Sequence, residues 1–214
     1  MNFILLSLLS YILGSIPFSY LAAKIYKKDV LTTGTGNVGT ANVWRATGKI
    51  EATLFALLGD AGKGILAVYL AKKFFPGSSL ALILASFFVV LGHNFPIFLK
   101  FKGGRGLATL VGVISFLNLK AILMALFVIV LSIFLTELLM KKKIKLEGNF
   151  KEKLKGAFNI FISQVLGRMI GILAALILAF FFCFDTLLIT LPAILLSLAK
   201  HIKRTKNFLE KKSE

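Results

Sequence analysis

A single cysteine, Cys183, two histidines, His93 and His201, and nine acidic residues stand against 26 lysines and arginines in a chain of 214 residues. One cysteine excludes an intramolecular disulfide, and two histidines leave no thiolate or imidazole cluster for zinc, so no metal site is expected. Cys183 itself reads as a small apolar helix residue. The chain also lacks an internal repeat, a linker or any polar stretch long enough for a soluble domain. A cleavable signal is not expected either. Residues 3–23 are apolar, but no positive segment precedes them and Lys24, Lys27 and Lys28 follow.

What is present is apolar sequence: 57% of residues are hydrophobic and 21 are phenylalanine. That composition describes an all-α polytopic integral membrane protein with a single membrane domain over residues 1–214. A net charge of +17 would point to nucleic acid in a soluble protein. Here the lysines and arginines punctuate apolar runs as cytoplasmic loops do, so the expected partner is membrane lipid and no nucleic acid. The expected spans are about 3–23, 50–73, 80–97, 106–118, 121–139, 157–183 and 185–199. Residues 106–118 are short, about 20 Å as helix, and could merge with 121–139 across Asn118-Leu119-Lys120. Charge decides against merging. With seven spans the inside loops carry 21 basic residues, while Lys72, Lys73 and Lys120 are the three outside. Merging would send the basic segment 140–156 and the basic tail outside, reversing the asymmetry that sets orientation. Seven transmembrane helices, N-out and C-in, is the better reading.

Two polar, glycine-rich stretches interrupt this pattern on the inner side. The first is Gly34-Thr35-Gly36-Asn37-Val38-Gly39-Thr40-Ala41-Asn42-Val43-Trp44-Arg45. Its three glycines permit φ > 0 and a nest of N–H groups. Thr35, Asn37, Thr40 and Asn42 add side-chain donors, and Arg45 adds a fork suited to phosphate. The second is Lys100-Phe101-Lys102-Gly103-Gly104-Arg105-Gly106, which opens the apolar run at Leu107. N–H groups at a helix start, beside Lys102 and Arg105, again describe an anion site. A flexible surface loop is the bland alternative for the first stretch, but two such loops on one side of a membrane are harder to dismiss than one.

Two nucleotide-site readings fail. Gly34 to Gly39 spells G-x-G-x-x-G but follows a hydrophobic helical run instead of a strand. Gly59-Asp60-Ala61-Gly62-Lys63-Gly64 lacks the four-residue gap and final hydroxyl of a Walker A loop. No cofactor is expected. Asp60 and Lys63 fall within a span, where a lone charge costs about 2.5–3.5 kcal/mol, so they should face the interior and hold each other. Either they only fix packing or they act at the site. Gly14-Ser15-Ile16-Pro17-Phe18 should mark close helix packing or a kink.

Taken in order and spacing, these residues resemble the bacterial acyl-phosphate glycerol-3-phosphate acyltransferases, the PlsY family. The resemblance runs from Gly14 to Thr109. It covers Gly14-Ser15-Ile16-Pro17, the Gly34–Arg45 loop, Asp60 with Lys63-Gly64, and Gly92-His93 through Phe95-Pro96 to Lys102-Gly103-Gly104-Arg105-Gly106 and Ala108-Thr109. Four departures stand out: Thr35 where the family usually has Ser, Arg105 where it has Lys, no Ser-Leu-x-Ser element near Arg168–Ile172, and Arg204 at about the place of an Asn after the final His.

The resemblance implies a seven-span enzyme of the bacterial cell membrane with its active site facing the cytoplasm. Its expected reaction moves an acyl group from acyl-phosphate to the 1-hydroxyl of glycerol 3-phosphate, a step of phospholipid biosynthesis. Association with the enzyme that makes acyl-phosphate is a further expectation. Thr35, Asn37, His93 and His201 are the candidate catalytic residues. Gly34, Gly36, Asn42, Arg45, Lys102, Gly103, Gly104 and Arg105 are the candidates for binding phosphate, with Asp60 and Lys63 behind them. Either His, or a substrate phosphate, would accept the hydroxyl proton. An acyl-phosphate carries a good leaving group, which agrees with the absence of a Ser-His-Asp constellation. The rival reading is a small membrane transporter of phosphate or organic anions, in which positive loops, an intramembrane pair such as Asp60–Lys63 and Gly/Pro-broken helices also occur.

Overall fold

A computed structural model describes residues 2–139 and 165–213. The described residues form nine α-helices and no strand. They are α1 (Phe3–Ser15), α2 (Phe18–Ile25), α3 (Thr40–Thr47), α4 (Ile50–Phe74), α5 (Ser79–Asn94), α6 (Leu107–Leu117), α7 (Leu119–Leu139), α8 (Val165–Phe182) and α9 (Phe184–Ser213). A 3₁₀ turn, Ile97–Leu99, follows α5. Among the described residues four stretches are long and apolar enough to cross a membrane: Phe3–Ile25, Ile50–Phe74, Ser79–Leu99 and Leu119–Thr136. The expected basic loop at 140–156 and the start of the expected span at 157–183 lie outside the described residues.

Local chemistry explains the breaks. Pro17 interrupts the first stretch, because it offers no N–H and its ring crowds the preceding turn, so α1 ends at Ser15 and α2 begins at Phe18. Asn118 separates α6 from α7, and its Oδ1 caps α7 by accepting from the Ala121 N–H at 3.0 Å. The first polar stretch is not all loop: from Thr40 it is helical, with Gly39 extended before it and Gly48 left-handed after it. The last helix runs on through the basic tail to Ser213, beyond the expected end at 199, since no Gly or Pro follows Pro192 and lysine favours helix.

The chain divides into two compact units, residues 1–117 with 188–214, and residues 118–187. In the second, α7 packs along α8, with Gly171 against Ile129. The first holds the polar stretches. Its helices touch through glycine, as close backbone approach requires where lipid supplies no hydrophobic drive. A side chain at Gly14 would strike the Val89 carbonyl, and one at Gly92 the Tyr11 carbonyl, so α1 and α5 cross there. Gly64 and Gly112 set the α4–α6 crossing in the same way, against the Thr109 and Ala61 carbonyls. The core between them is built largely of small residues, among them Ala67, Ala71, Ala81, Ala85, Val89 and Val113. A second cluster, Ala22, Ala23, Val30, Val38, Val43, Ala52 and Ala56, lies beneath the first polar stretch.

Candidate active site

The first loop is anchored at Asp29, whose Oδ1 accepts from the Leu31 N–H at 2.9 Å and whose Oδ2 lies 3.3 Å from Lys24 Nζ. The Leu31 N–H, with Lys24 adding to it, holds the Asp29 carboxyl below the ordinary carboxylate range. Gly34 and Gly36 take φ of 64° and 63°, the left-handed region that glycine enters at no cost. Gly39 is extended, and its hydrogen side faces the Asn37 amide, which an added methyl would meet at 2.8 Å.

Asn42 departs from the expectation of a phosphate donor. It is 1% exposed, and its amide is consumed within the loop. Oδ1 accepts from the Thr35 N–H at 2.8 Å, and Nδ2 donates to the Val30 and Thr33 carbonyls at 2.9 and 3.0 Å. A nest of N–H groups is also reduced, since Thr35 N–H goes to Asn42 and Gly36 N–H to Thr33 O at 3.2 Å. What the loop presents outward is side chain. Thr35 and Arg45 are exposed, Asn37 is half-buried, and Arg45 Cβ lies beside Gly34.

The second loop leaves α5 through Phe95-Pro96 and turns back at Lys100 and Phe101, with φ of 50° and 63°. A bulky residue such as Phe101 seldom holds that conformation, and strain of about 1–3 kcal/mol is typical where loops are held in such geometry for function. The reversal lets Phe101 N–H reach the Pro96 carbonyl at 2.9 Å and Gly104 N–H reach the His93 carbonyl at 3.1 Å. Gly103 and Gly104 are buried while Lys102 is exposed and Arg105 half-buried. Gly104 is where the two loops meet: a side chain there would strike both His93 Nε2 and the Val38 carbonyl of the first loop.

Beneath this junction lies a buried charged cluster. Asp60, 1% exposed, pairs with Lys63 at 2.9 Å, accepts from Ser19 Oγ at 2.6 Å, and stands 3.4 Å from His93 Nδ1. Lys63 donates further to the Gly14 and Ile16 carbonyls at 2.8 and 2.9 Å, which the Pro17 break frees from helical bonding. His93 is 6% exposed and sits between Asp60 and Gly104, under the second loop instead of on its surface. His201 lies on the described backbone of α9, but its side chain is outside the described residues.

The structure therefore brings together the loop residues 34–45 and 102–105, His93, Asp60 and Lys63. It adds residues that sequence reasoning missed: Ser19 on Asp60, Tyr11 Oη donating to the Phe95 carbonyl at 2.8 Å, and Ser197 donating to the Arg105 carbonyl. Tyr11, Ser15 and Ser19 recur every fourth residue, a polar stripe in an apolar run that could have marked the face turned to the site. Among the described residues no group of three or more His, Cys, Asp or Glu could hold a metal ion.

An all-helical membrane protein with two cationic loops joined over a buried ion cluster is the class these features define. The glycerol-3-phosphate acyltransferase family model matches residues 4–148. A glycerol-3-phosphate acyltransferase of Wolbachia sp. subsp. Brugia malayi is 36% identical over 202 residues, covering 94% of this chain and 92% of that one. Its counterpart from Carboxydothermus hydrogenoformans is 44% identical over 144 residues, 67% of this chain and 69% of the other. The crystal structure of PlsY (YgiH), an integral membrane glycerol 3-phosphate acyltransferase, in its glycerol 3-phosphate form, is similar with a TM-score of 0.71 at 26% identity, over 98% of this chain and 92% of that one. The chain belongs to the glycerol-3-phosphate acyltransferase family, and it is an integral membrane acyltransferase.

Proposed function

We propose that the chain transfers an acyl group from acyl-phosphate to the 1-hydroxyl of glycerol 3-phosphate at the junction of its two basic loops. The observation that carries this reading is the meeting at Gly104, where the loop that carries Lys102 and Arg105 packs on the Val38 carbonyl of the other. Both substrates are phosphorylated, and guanidinium and ammonium groups on two loops suit two phosphates. Arg45, Lys102 and Arg105 take the phosphate charges, and Thr35 and Asn37 contact phosphate and the acyl carbonyl oxygen. Gly34, Gly36, Gly103 and Gly104 shape the loops, and Asn42 staples the first one shut.

In the reaction the glycerol oxygen attacks the acyl carbon, the bond from that carbon to the phosphate oxygen breaks, and inorganic phosphate leaves. The hydroxyl proton passes to a phosphate oxygen, since His93 is buried against Asp60 and Gly104. His93, Asp60 and Lys63 support the loops from below. The lipid-facing helices accommodate the acyl chain.

The same reading places seven spans with the N-terminus outside, both loops and the C-terminus in the cytoplasm, and the whole chain as one membrane domain. It is supported by the junction, which requires the first and second loops to share a side, and by the concentration of basic residues in the inside loops. An enzyme that makes acyl-phosphate would deliver the donor from within the cell and is the proposed partner. The test is direct: purified protein, acyl-phosphate and labelled glycerol 3-phosphate should give lysophosphatidate and phosphate in equal amounts. Folded protein that yields neither would overturn the reading.

A further inference from the structure

The last helix reaches the second loop at two points. Ser197 and Lys200 lie three residues apart on α9 and so share a face. Ser197 Oγ donates to the Arg105 carbonyl and Lys200 Nζ to the Asn94 carbonyl. Asn94 immediately precedes the segment 95–104 and Arg105 immediately follows it, so α9 grips the neck of the loop from both sides. The Lys200 ammonium also stands 3.7 Å from the centre of the Phe95 ring.

This neck is the end of α5, where the last carbonyls have no intrahelical partner and carry the negative end of the helix dipole. Three successive carbonyls are capped by three separate elements: His93 by the Gly104 N–H, Asn94 by Lys200, and Phe95 by the Tyr11 hydroxyl. A lysine suits the middle place because its charge favours that end of a helix and its ammonium can also lie on an aromatic face. Both contacts are to protein groups rather than to the outward face of the loop.

We infer that Lys200 is a positioning residue for the acyl transfer: with Ser197 it fixes the neck of the second loop, and so sets where Lys102 and Arg105 meet phosphate. The inference rests on the proposed role of that loop.

A double-mutant cycle in kcat/KM for glycerol 3-phosphate tests it. Lys200→Met should lower kcat/KM about tenfold, the usual scale for a hydrogen bond to a charged group. In an Arg105→Ala background the same change should cost less than about threefold, because a residue acting through the loop has less to act on once the loop's charge is gone. Lys200→Arg should recover most of the loss, since a guanidinium can donate to the carbonyl and stack on Phe95. A merely structural lysine would lower the thermal midpoint and leave the kinetics of the folded enzyme alone. Unchanged kinetics in Lys200→Met, or losses that multiply with Arg105→Ala as for an independent phosphate ligand, would overturn the inference. If Lys200→Met does not fold, Ser197→Ala crossed with Arg105→Ala is read by the same criterion. A kinetically silent Arg105→Ala would overturn the loop's assignment and this inference together, whereas a normal Arg105→Ala loss with multiplying effects overturns the inference alone.

Discussion

Adding one methyl group at Gly104 should separate the loop junction from the rest of the fold. The new carbon would fall on His93 Nε2 and the Val38 carbonyl, with His93 Cδ2 3.0 Å away. Neither neighbour is a flexible tip that can swing aside. Val38 is a buried main-chain group at 2% exposure, and His93 is wedged against Asp60. The second loop must therefore back away from the first by a distance on the order of 1 Å, and a misplacement of that size costs about a hundredfold in rate when it disturbs reacting groups. Overpacking costs about 1–3 kcal/mol of stability, which a folded membrane protein can absorb. Gly62→Ala is the control. It lies on α4 between Asp60 and Lys63, but nothing stands within 4 Å of where its Cβ would be. That enzyme should turn over normally, with helix stability raised by about 0.5–1 kcal/mol. The assay is lysophosphatidate formation at several glycerol 3-phosphate concentrations, beside thermal unfolding in the same detergent. A Gly104→Ala enzyme with the kcat/KM of the unmodified protein would refute the claim that the two loops act as one site.

Four other outcomes are expected. Asp60→Asn strands Lys63 without its counter-ion and should cost about 3–5 kcal/mol in unfolding measurements, while Asp60→Asn with Lys63→Met should cost less; an unchanged midpoint in the single variant would mean the pair supports nothing. Arg105→Ala should lose about ten- to a hundredfold in kcat/KM, with Arg105→Lys recovering much of it, because a point charge also binds phosphate; equal kinetics in all three enzymes would remove the second loop from the site. Acyl-phosphate should support turnover and acyl-CoA should not, so comparable initial rates with both would count against the proposed donor. A cysteine placed in the 75–78 turn, in a Cys183→Ala background, should react with an impermeant reagent added to intact cells and one at 140–156 should not; the opposite pattern would reverse the proposed orientation.

The sequence made some of this readable and hid the rest for physical reasons. Glycine and charge are visible in a string of letters, so the two loops, the Gly14–Pro17 break and the Asp60–Lys63 pair are legible there. The destination of a hydrogen bond is not visible. Asn42 reads as one more donor in a polar loop, yet folding turns its amide inward onto Thr35, Val30 and Thr33. His93 reads as a base near phosphate, but its side chain points below the loop toward Asp60. Ser197 lies 92 residues beyond Arg105 and Lys200 lies 106 beyond Asn94, and nothing in local spacing joins them.

The geometry of Lys63 also weighs between the two functional readings that the sequence left open. A transporter's intramembrane charge must at some stage bind the travelling anion, which requires a donor turned to a path. Lys63 is 4% exposed, and an ammonium has three donors. The Gly14 and Ile16 carbonyls take two of them, at 2.8 and 2.9 Å, and the Asp60 Oδ1 counter-ion stands 2.9 Å away. The two carbonyls exist as acceptors because Pro17 breaks the first apolar stretch, so the charge on α4 answers a defect in the first span. Ser19, just past that break, completes the coordination of Asp60, and Asp60 in turn abuts the His93 imidazole beneath Gly104. The buried ions therefore join α2, α4 and α5 into one support beneath the second loop, a role that holds Lys63 in place instead of turning it to a path.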